Sequence, residues 1–252
     1  MKATSDFPST RWSFVLKRPT DVEERKRTAE ELCRLYWQPV YAFVRGSLLA
    51  DSRGAGHQRA EDLTQGFFAS AIESGLFEDA DPEKGRLRSY VLGAVKNYVA
   101  AEHRHASVEK RGGGMHFVYI DAGREERTRY SGAVAIQEEG LPPDQLFDRR
   151  WAEGLLETGL QQLREEYEAR NKRAVYEALK PLLAADSNDS ELLQEQAKVS
   201  LRCGAGALRV ALYRFRKRYR ELVREEVLST LLEGDEIEDE VAWLARVLAA
   251  KL

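Results

Sequence analysis

The stretch that most restricts this chain is Gly85–Arg111, GRLRSYVLGAVKNYVAAEHRHASVEKR. Leu87, Val91, Ala94, Tyr98 and Ala101 recur at i, i+4, i+7, i+11 and i+14, the period of an α-helix with one buried side. The remaining surface carries Arg88, Ser89, Lys96, Asn97, His103 and Arg104. Cations, an amide and a hydroxyl on a face that packing does not need suit phosphates and base edges. A merely solvated charged face has the same composition. A second basic helix far downstream favours the binding reading.

The rest of the chain repeats the helical period. With 252 residues, of which 43% are hydrophobic, it is long enough for one large domain or two small ones with real cores. Few prolines and glycines against many Leu, Ala, Glu and Arg predict an all-α protein. No apolar run approaches the ~20 residues that cross a bilayer, and MKATSDFPSTRW lacks the apolar core of a signal peptide. The expected location is the cytoplasm. Cys33 and Cys203 stand far apart without CxxC spacing, so reduced thiols are expected in place of a disulfide framework or zinc ribbon.

In chain order, residues 1–20 read as a docking segment with Trp12, Phe14, Val15 and Leu16. From Asp21 to Val44, Leu32, Leu35, Tyr36, Val40 and Phe43 form a stripe that Pro39 is expected to kink or divide. Gly46–Gly56 reads as a loop. The next helix, Gln58–Ser74, turns Leu63, Phe67, Phe68, Ala71 and Ile72 inward and leaves Glu61, Asp62, Thr64, Gln65 and Ser70 outside. Glu61 and Asp62 also suit the positive end of a helix dipole. Asp81 and Pro82 read as a helix start. Residues 112–143 form a linker opened by Gly112–Gly114, in which Met115–Ile120 alternates weakly. No GK[ST] follows that triplet, so it is not a phosphate loop.

Beyond the linker, Asp144 is expected to cap a helix with Phe147, Trp151, Leu155, Leu156, Leu160, Leu163 and Tyr167 inside. Helices over 172–183 and from Ser190 follow. A tight Arg202, Cys203, Gly204 turn then gives the outline of a helix-turn-helix. Leu208, Leu212, Phe215, Tyr219 and Leu222 make the buried stripe of its second helix, with Arg209, Tyr213, Arg216, Lys217 and Arg220 opposite. Between Arg202 and Arg224 there are eight Arg or Lys and one acidic residue, Glu221, in a chain whose net charge is −3. Such a helix can neutralise phosphates and enter a major groove. The acidic run Glu233–Glu240 and a final helix with Val241, Leu244, Val247 and Leu248 either fold back on this basic helix or stay solvated.

Two helical modules, each ending in a basic helix, resemble the extracytoplasmic-function (ECF) sigma factors of bacterial RNA polymerase. ELCRLYWQPVYAFVR, AEDLTQGFFASAI and RLRSYVLGAVKNYVAAEHR are similar to the family's region two. FDRRWAEGLLETGLQQL and GAGALRVALYRFRKRYRELVREEV are similar to its region four. The resemblance spans about Ser9 to Val227. It implies a region two-like domain over 21–111, a region four-like helix-turn-helix domain over 144–227 and an additional helical extension over 228–252.

It implies further that Glu61, Asp62, Gln65 and Phe68 grip the coiled coil of the largest subunit of core polymerase. Arg86, Arg88, Lys96, Asn97, His103 and Arg104 would meet the −10 promoter element as its strands separate, with Tyr90 or Tyr98 supplying a stacking ring. Gly206 and Ala207 would open the recognition helix, and Arg209, Tyr213, Arg216, Lys217 and Arg220 would read the −35 element as duplex. The turn LRCGAG departs from the family's usual Leu, Gly, apolar residue, Ser. No cofactor is implied. The implied partners are core polymerase, promoter DNA and an anti-sigma or other regulatory protein, with the free protein a monomer.

A metal enzyme would need more than His103, His105 and His116, since residues two apart do not share a helix face. No nucleophile and base stand in a recognisable context, so no enzyme is expected. The alternative is a stand-alone helix-turn-helix regulator with an N-terminal sensing or partner-binding module.

Overall fold

In the computed structural model, residues 22–50, 57–81, 84–109, 141–183, 190–231 and 236–249 are described. Among them are eight α-helices and no strand: α1 (Val22–Ala50), α2 (His57–Glu73), α3 (Leu87–Glu109), α4 (Pro143–Ala169), α5 (Arg173–Leu179), α6 (Ser190–Leu201), α7 (Ala205–Ser229) and α8 (Ile237–Ala249). A 3₁₀ turn, Lys180–Leu183, extends α5. The all-α expectation holds. None of these helices is long and apolar enough to cross a membrane. The expected docking segment at 1–20, the Gly112–Gly114 linker and its Met115–Ile120 stretch lie outside the described residues.

The chain divides into two compact units, Met1–Gly154 with Ser229–Leu252, and Leu155–Leu228. The boundary falls within α4, and α8 groups with the first unit.

In the first unit α1 packs on α2 and α3. Pro39 does not divide α1, which continues for 29 residues. An internal proline costs about 3 kcal/mol. Tyr36, Trp37, Val40, Phe43 and Val44 are all buried around it, and each buried side chain contributes about 1.5–3 kcal/mol, so packing outweighs the lost hydrogen bond. The first part of the stretch expected as a loop, Gly46–Ala50, is helical for the same reason, and the rest of it lies outside the described residues. Leu48 is buried, and a β-carbon on Gly46 would stand 2.7 Å from Leu146 Cδ1. Gly46 is a helical contact point for α4.

Helix α2 corrects three assignments. Thr64, expected outside, is fully buried, and its hydroxyl donates to the Ala60 carbonyl at 2.7 Å. Ile72, expected inside, is 42% exposed. Phe68, expected on a docking surface, has no exposed area and stacks on Trp37 at 5.7 Å between ring centroids. Gly66 lets α3 approach, because a β-carbon there would collide with the Tyr98 hydroxyl.

The buried line of α3 is also rotated from the expected one. Leu87, Val91, Val95 and Val99 are buried, whereas Ala94, Tyr98 and Ala101 are half-buried. Steps of four residues advance the line by about 40° each at 100° per residue. That drift brings Arg88 inside the packed sector, while Lys96, Asn97, His103 and Arg104 stay on the far side.

In the second unit Leu163, Tyr176, Leu179, Leu182, Ala197, Leu208, Phe215 and Leu222 form one core. Tyr167, Tyr176 and Phe215 pack edge to face within it. Asp144 lies inside the first turn of α4 and not at its cap, since Gln145 and Leu146 donate to the Pro142 carbonyl.

Removing the Phe68 ring should cost about 3–5 kcal/mol. A thermal or urea melt of Phe68→Ala is expected to show a loss of that size in the first unit. A Phe68→Ala chain as stable as the parent would return Phe68 to the surface.

Candidate nucleic-acid interface

Arg202–Gly204 joins α6 to α7, and Leu201, Cys203 and Leu193 pack against the same core as Leu208. Cys203 N donates to the Lys198 carbonyl and Leu208 N to the Gly204 carbonyl, closing the first helix and opening the second. Arg202 has a φ of 48°. A left-handed backbone costs a side-chain-bearing residue roughly 1–2 kcal/mol, and glycine avoids that cost. The turn therefore holds an arginine in a left-handed conformation that glycine would adopt without strain.

Helix α7 divides its charges between two tasks. Leu208, Phe215 and Leu222 are buried, with Leu212 and Tyr219 half-buried on the same side. Arg209, Tyr213, Arg216, Lys217 and Arg220 are all exposed and fall within about 100° of arc. Gly206 and Ala207 are exposed at the start of the helix, and nothing lies within 4 Å of a β-carbon built on Gly206. Arg218 points elsewhere. It binds Glu166 through two guanidinium nitrogens at 2.6 and 3.0 Å and also reaches Glu221 and Glu225. That pairing raises the Arg218 pKa and lowers that of Glu166.

Hydrogen bonds also steady the exposed face. Arg216 donates to the Leu182 carbonyl at 2.7 Å, and Arg220 donates to the Arg216 carbonyl at 3.2 Å. Lys217 has Glu221 at 4.0 Å, an exposed pair that contributes little. Sequence reasoning missed Val210, which is 50% exposed beside these cations, and Arg214, also exposed. An apolar side chain next to arginines can meet a thymine methyl while the cations take phosphates and guanine edges.

In the first unit the face of α2 carries Glu61, Asp62 and Gln65, all half-buried. Its first turn begins at His57, so Glu61 and Asp62 lie beyond it, and the helix dipole does not account for them. Side chains one turn back hold both: His57 Nε2 lies 3.2 Å from Glu61, and Gln58 donates to Asp62 at 3.1 Å. His57 Nδ1 in turn meets the Tyr41 hydroxyl at 2.6 Å.

The six polar residues expected along α3 separate into two groups. Asn97 and Arg104 are exposed, and His103 is half-buried. Lys96 is exposed and paired with Asp144. Arg86 and Arg88, by contrast, both donate to Glu240 of α8, whose side chain has no exposed area. Arg88 is 8% exposed, which corrects its placement on a free face. Its guanidinium carbon lies 3.5 Å from the Trp243 ring centroid and 4.8 Å from that of Trp151. Burial and the neighbouring Arg86 push the Arg88 pKa down to about 10, against Asp148 and Tyr36, so it remains charged at neutral pH.

The expected stacking tyrosines are engaged. Tyr90 donates to the Leu76 carbonyl at 2.9 Å, and Tyr98 sets its ring edge to face with Phe67. The Glu240 cluster escaped sequence reasoning, although Ile237, Glu240 and Leu244 at i, i+3 and i+7 place a carboxylate in an otherwise apolar line. The tail folds back on α3 through Glu240 and Trp243 and is not simply solvated.

Both cysteines are free, and burial with Glu30 nearby pushes the Cys33 thiol up to about 11. Among the described residues no group of three His, Cys, Asp or Glu could hold a metal ion. No family model, curated protein or solved structure matches the chain.

Glycine at the strained turn should relieve about 1 kcal/mol. Arg202→Gly is expected to raise the melting midpoint of the second unit, measured by calorimetry. An unchanged or lower midpoint would mean that the arginine side chain compensates for its backbone.

Proposed function

We propose that this protein is an ECF-type sigma factor that binds bacterial core RNA polymerase and directs promoter-specific initiation of transcription. The observation that carries the reading is α7: a helix set by a tight turn against its own core, with five side chains suited to duplex DNA exposed on one face. The major groove admits one α-helix, and Arg209, Arg216, Lys217 and Arg220 supply the positive charge that phosphate contacts need. On this reading α7 meets the −35 element. The far side of α3, with Lys96, Asn97, His103 and Arg104, meets the −10 element during strand separation.

The polymerase contact falls to Glu61, Asp62 and Gln65 on α2. Phe68 is buried against Trp37 in the core and forms no part of that surface. An acidic surface facing a basic coiled coil gives orientation and encounter rate more than raw affinity. The protein contributes promoter choice and leaves nucleotide addition to the polymerase.

Run-off transcription with purified core polymerase on a promoter library tests the reading. The parent chain should yield chain-dependent transcripts, and Glu61→Lys with Asp62→Lys should abolish them while leaving helix content unchanged by circular dichroism. Transcripts from no promoter, together with tight operator binding by the chain alone, would identify a stand-alone helix-turn-helix regulator instead.

Salt dependence tests the α7 face separately. Each lost phosphate contact flattens the slope of log K against log salt by about 0.9 on duplex DNA. Arg209→Ala with Arg220→Ala should therefore lower the slope by about 2 for duplex carrying the −35 element. A slope equal to the parent's would remove these residues from the interface.

A further inference from the structure

Arg86 and Arg88 stand at the N-terminus of α3, where the Arg86 carbonyl accepts from Ser89 and Tyr90. Free amides, the positive end of the helix dipole and two guanidinium groups make this a strong place for an anion. The anion found there is the carboxylate of Glu240, which both arginines grip. One helical turn further along α8, the Trp243 ring lies flat enough on Arg88 to bring its centroid within 3.5 Å of the guanidinium carbon. A carboxylate between two arginines and an aromatic ring on a guanidinium reproduce the two contacts that a nucleotide makes with such a site, phosphate to arginine and base to arginine plane.

We propose that α8 is an intramolecular plug that imitates a nucleotide, so that Arg86 and Arg88 take a single DNA strand only after α8 has left. The proposal rests on the reading of α3 as a nucleic-acid surface. It also explains why a glutamate interrupts the apolar line of Ile237 and Leu244. A leucine there would pack but deprive both arginines of the carboxylate they share.

Exchange of carboxylate for phosphate keeps both arginines paired throughout, whereas simple departure of α8 would leave two neighbouring guanidinium groups without the carboxylate they share. Strand entry and helix exit are therefore linked. The Lys96–Asp144 pair has no such role, because both partners are nearly half exposed and such pairs contribute little. With 13 residues, α8 is also too short to keep its helix once undocked, so its release is visible as loss of amide protection.

The experiment uses the full chain and a fluorescently labelled single-stranded 20-mer of mixed sequence. Hydrogen exchange over 237–249 in the unaltered protein should accelerate when the oligonucleotide binds. Glu240→Gln, which weakens the grip, and Leu244→Asp, which dislodges the helix without touching Glu240 or the arginines, should each tighten binding about tenfold, since less of the protein is closed. Adding Arg86→Gln and Arg88→Gln to Glu240→Gln should cancel the gain.

Protection that persists over 237–249 with the strand bound, or variants that bind no better than the parent, would overturn the plug and leave α8 a structural strut. Should both single variants fail to fold, the exchange measurement on the unaltered chain decides alone. Run-off transcription on the same proteins separates the two readings. A released plug without transcripts from any variant retains the plug and discards the sigma factor. Equal transcription from all variants with α8 protected throughout retains the sigma factor and discards the plug.

Discussion

The first unit depends on how it accommodates a guanidinium that its own helix geometry forces inward. Helix α3 buries Leu87, Val91, Val95 and Val99, and the drift of that line carries Arg88 into the packed sector, where it is 8% exposed. An isolated buried charge would cost several kcal/mol. The fold answers with the Glu240 carboxylate, the rings of Trp151 and Trp243, and nearby Asp148. Asp148 feels the same crowding, and burial raises its pKa despite Arg88 and Lys96. Because these partners come from α4 and α8, the charge that α3 buries dictates which distant segments must return to it.

The second unit handles its cations differently. Arg218 is tied down by Glu166, Glu221 and Glu225 and braces α7 against α4 within that unit. Arg209, Arg216 and Arg220 lie across the helix and are left exposed. A basic helix needs such a division. If every cation faced outward, self-repulsion would weaken the helix. If every one were paired, no positive face would remain. Three carboxylates on one side of α7 let the other side stay positive.

Much of this was legible in the sequence, for reasons that particular residues make clear. The all-α class, the positions of α2, α3, α4 and α7, and the buried stripe of α7 follow from period alone, because Leu208, Phe215 and Leu222 face one compact core from one direction. Period failed where a helix has neighbours on several sides. Thr64 is buried with its hydroxyl satisfied by Ala60, and a polar residue that bonds its own helix looks in sequence like an exposed one. Phe68 was misplaced because a resemblance of words does not say which aromatic supports a surface and which forms it. Arg88 and Glu240 lie 152 positions apart, and no local pattern joins them. A lone acid in the apolar line of a short helix was the one available sign.

The proposed function gives this asymmetry a direction. The face of α7 is open in the free chain, whereas the start of α3 is occupied by α8. Duplex contact therefore requires no rearrangement, while capture of a separated strand requires an exchange of one anion for another. An exchange of that kind is favourable only when the incoming strand offers both a phosphate and a base to Arg86 and Arg88. Random polyanions offer the first without the second, and duplex DNA keeps its bases stacked. The buried carboxylate and the indole beside it would then select opened DNA over closed, which is the discrimination that a surface acting during strand separation needs.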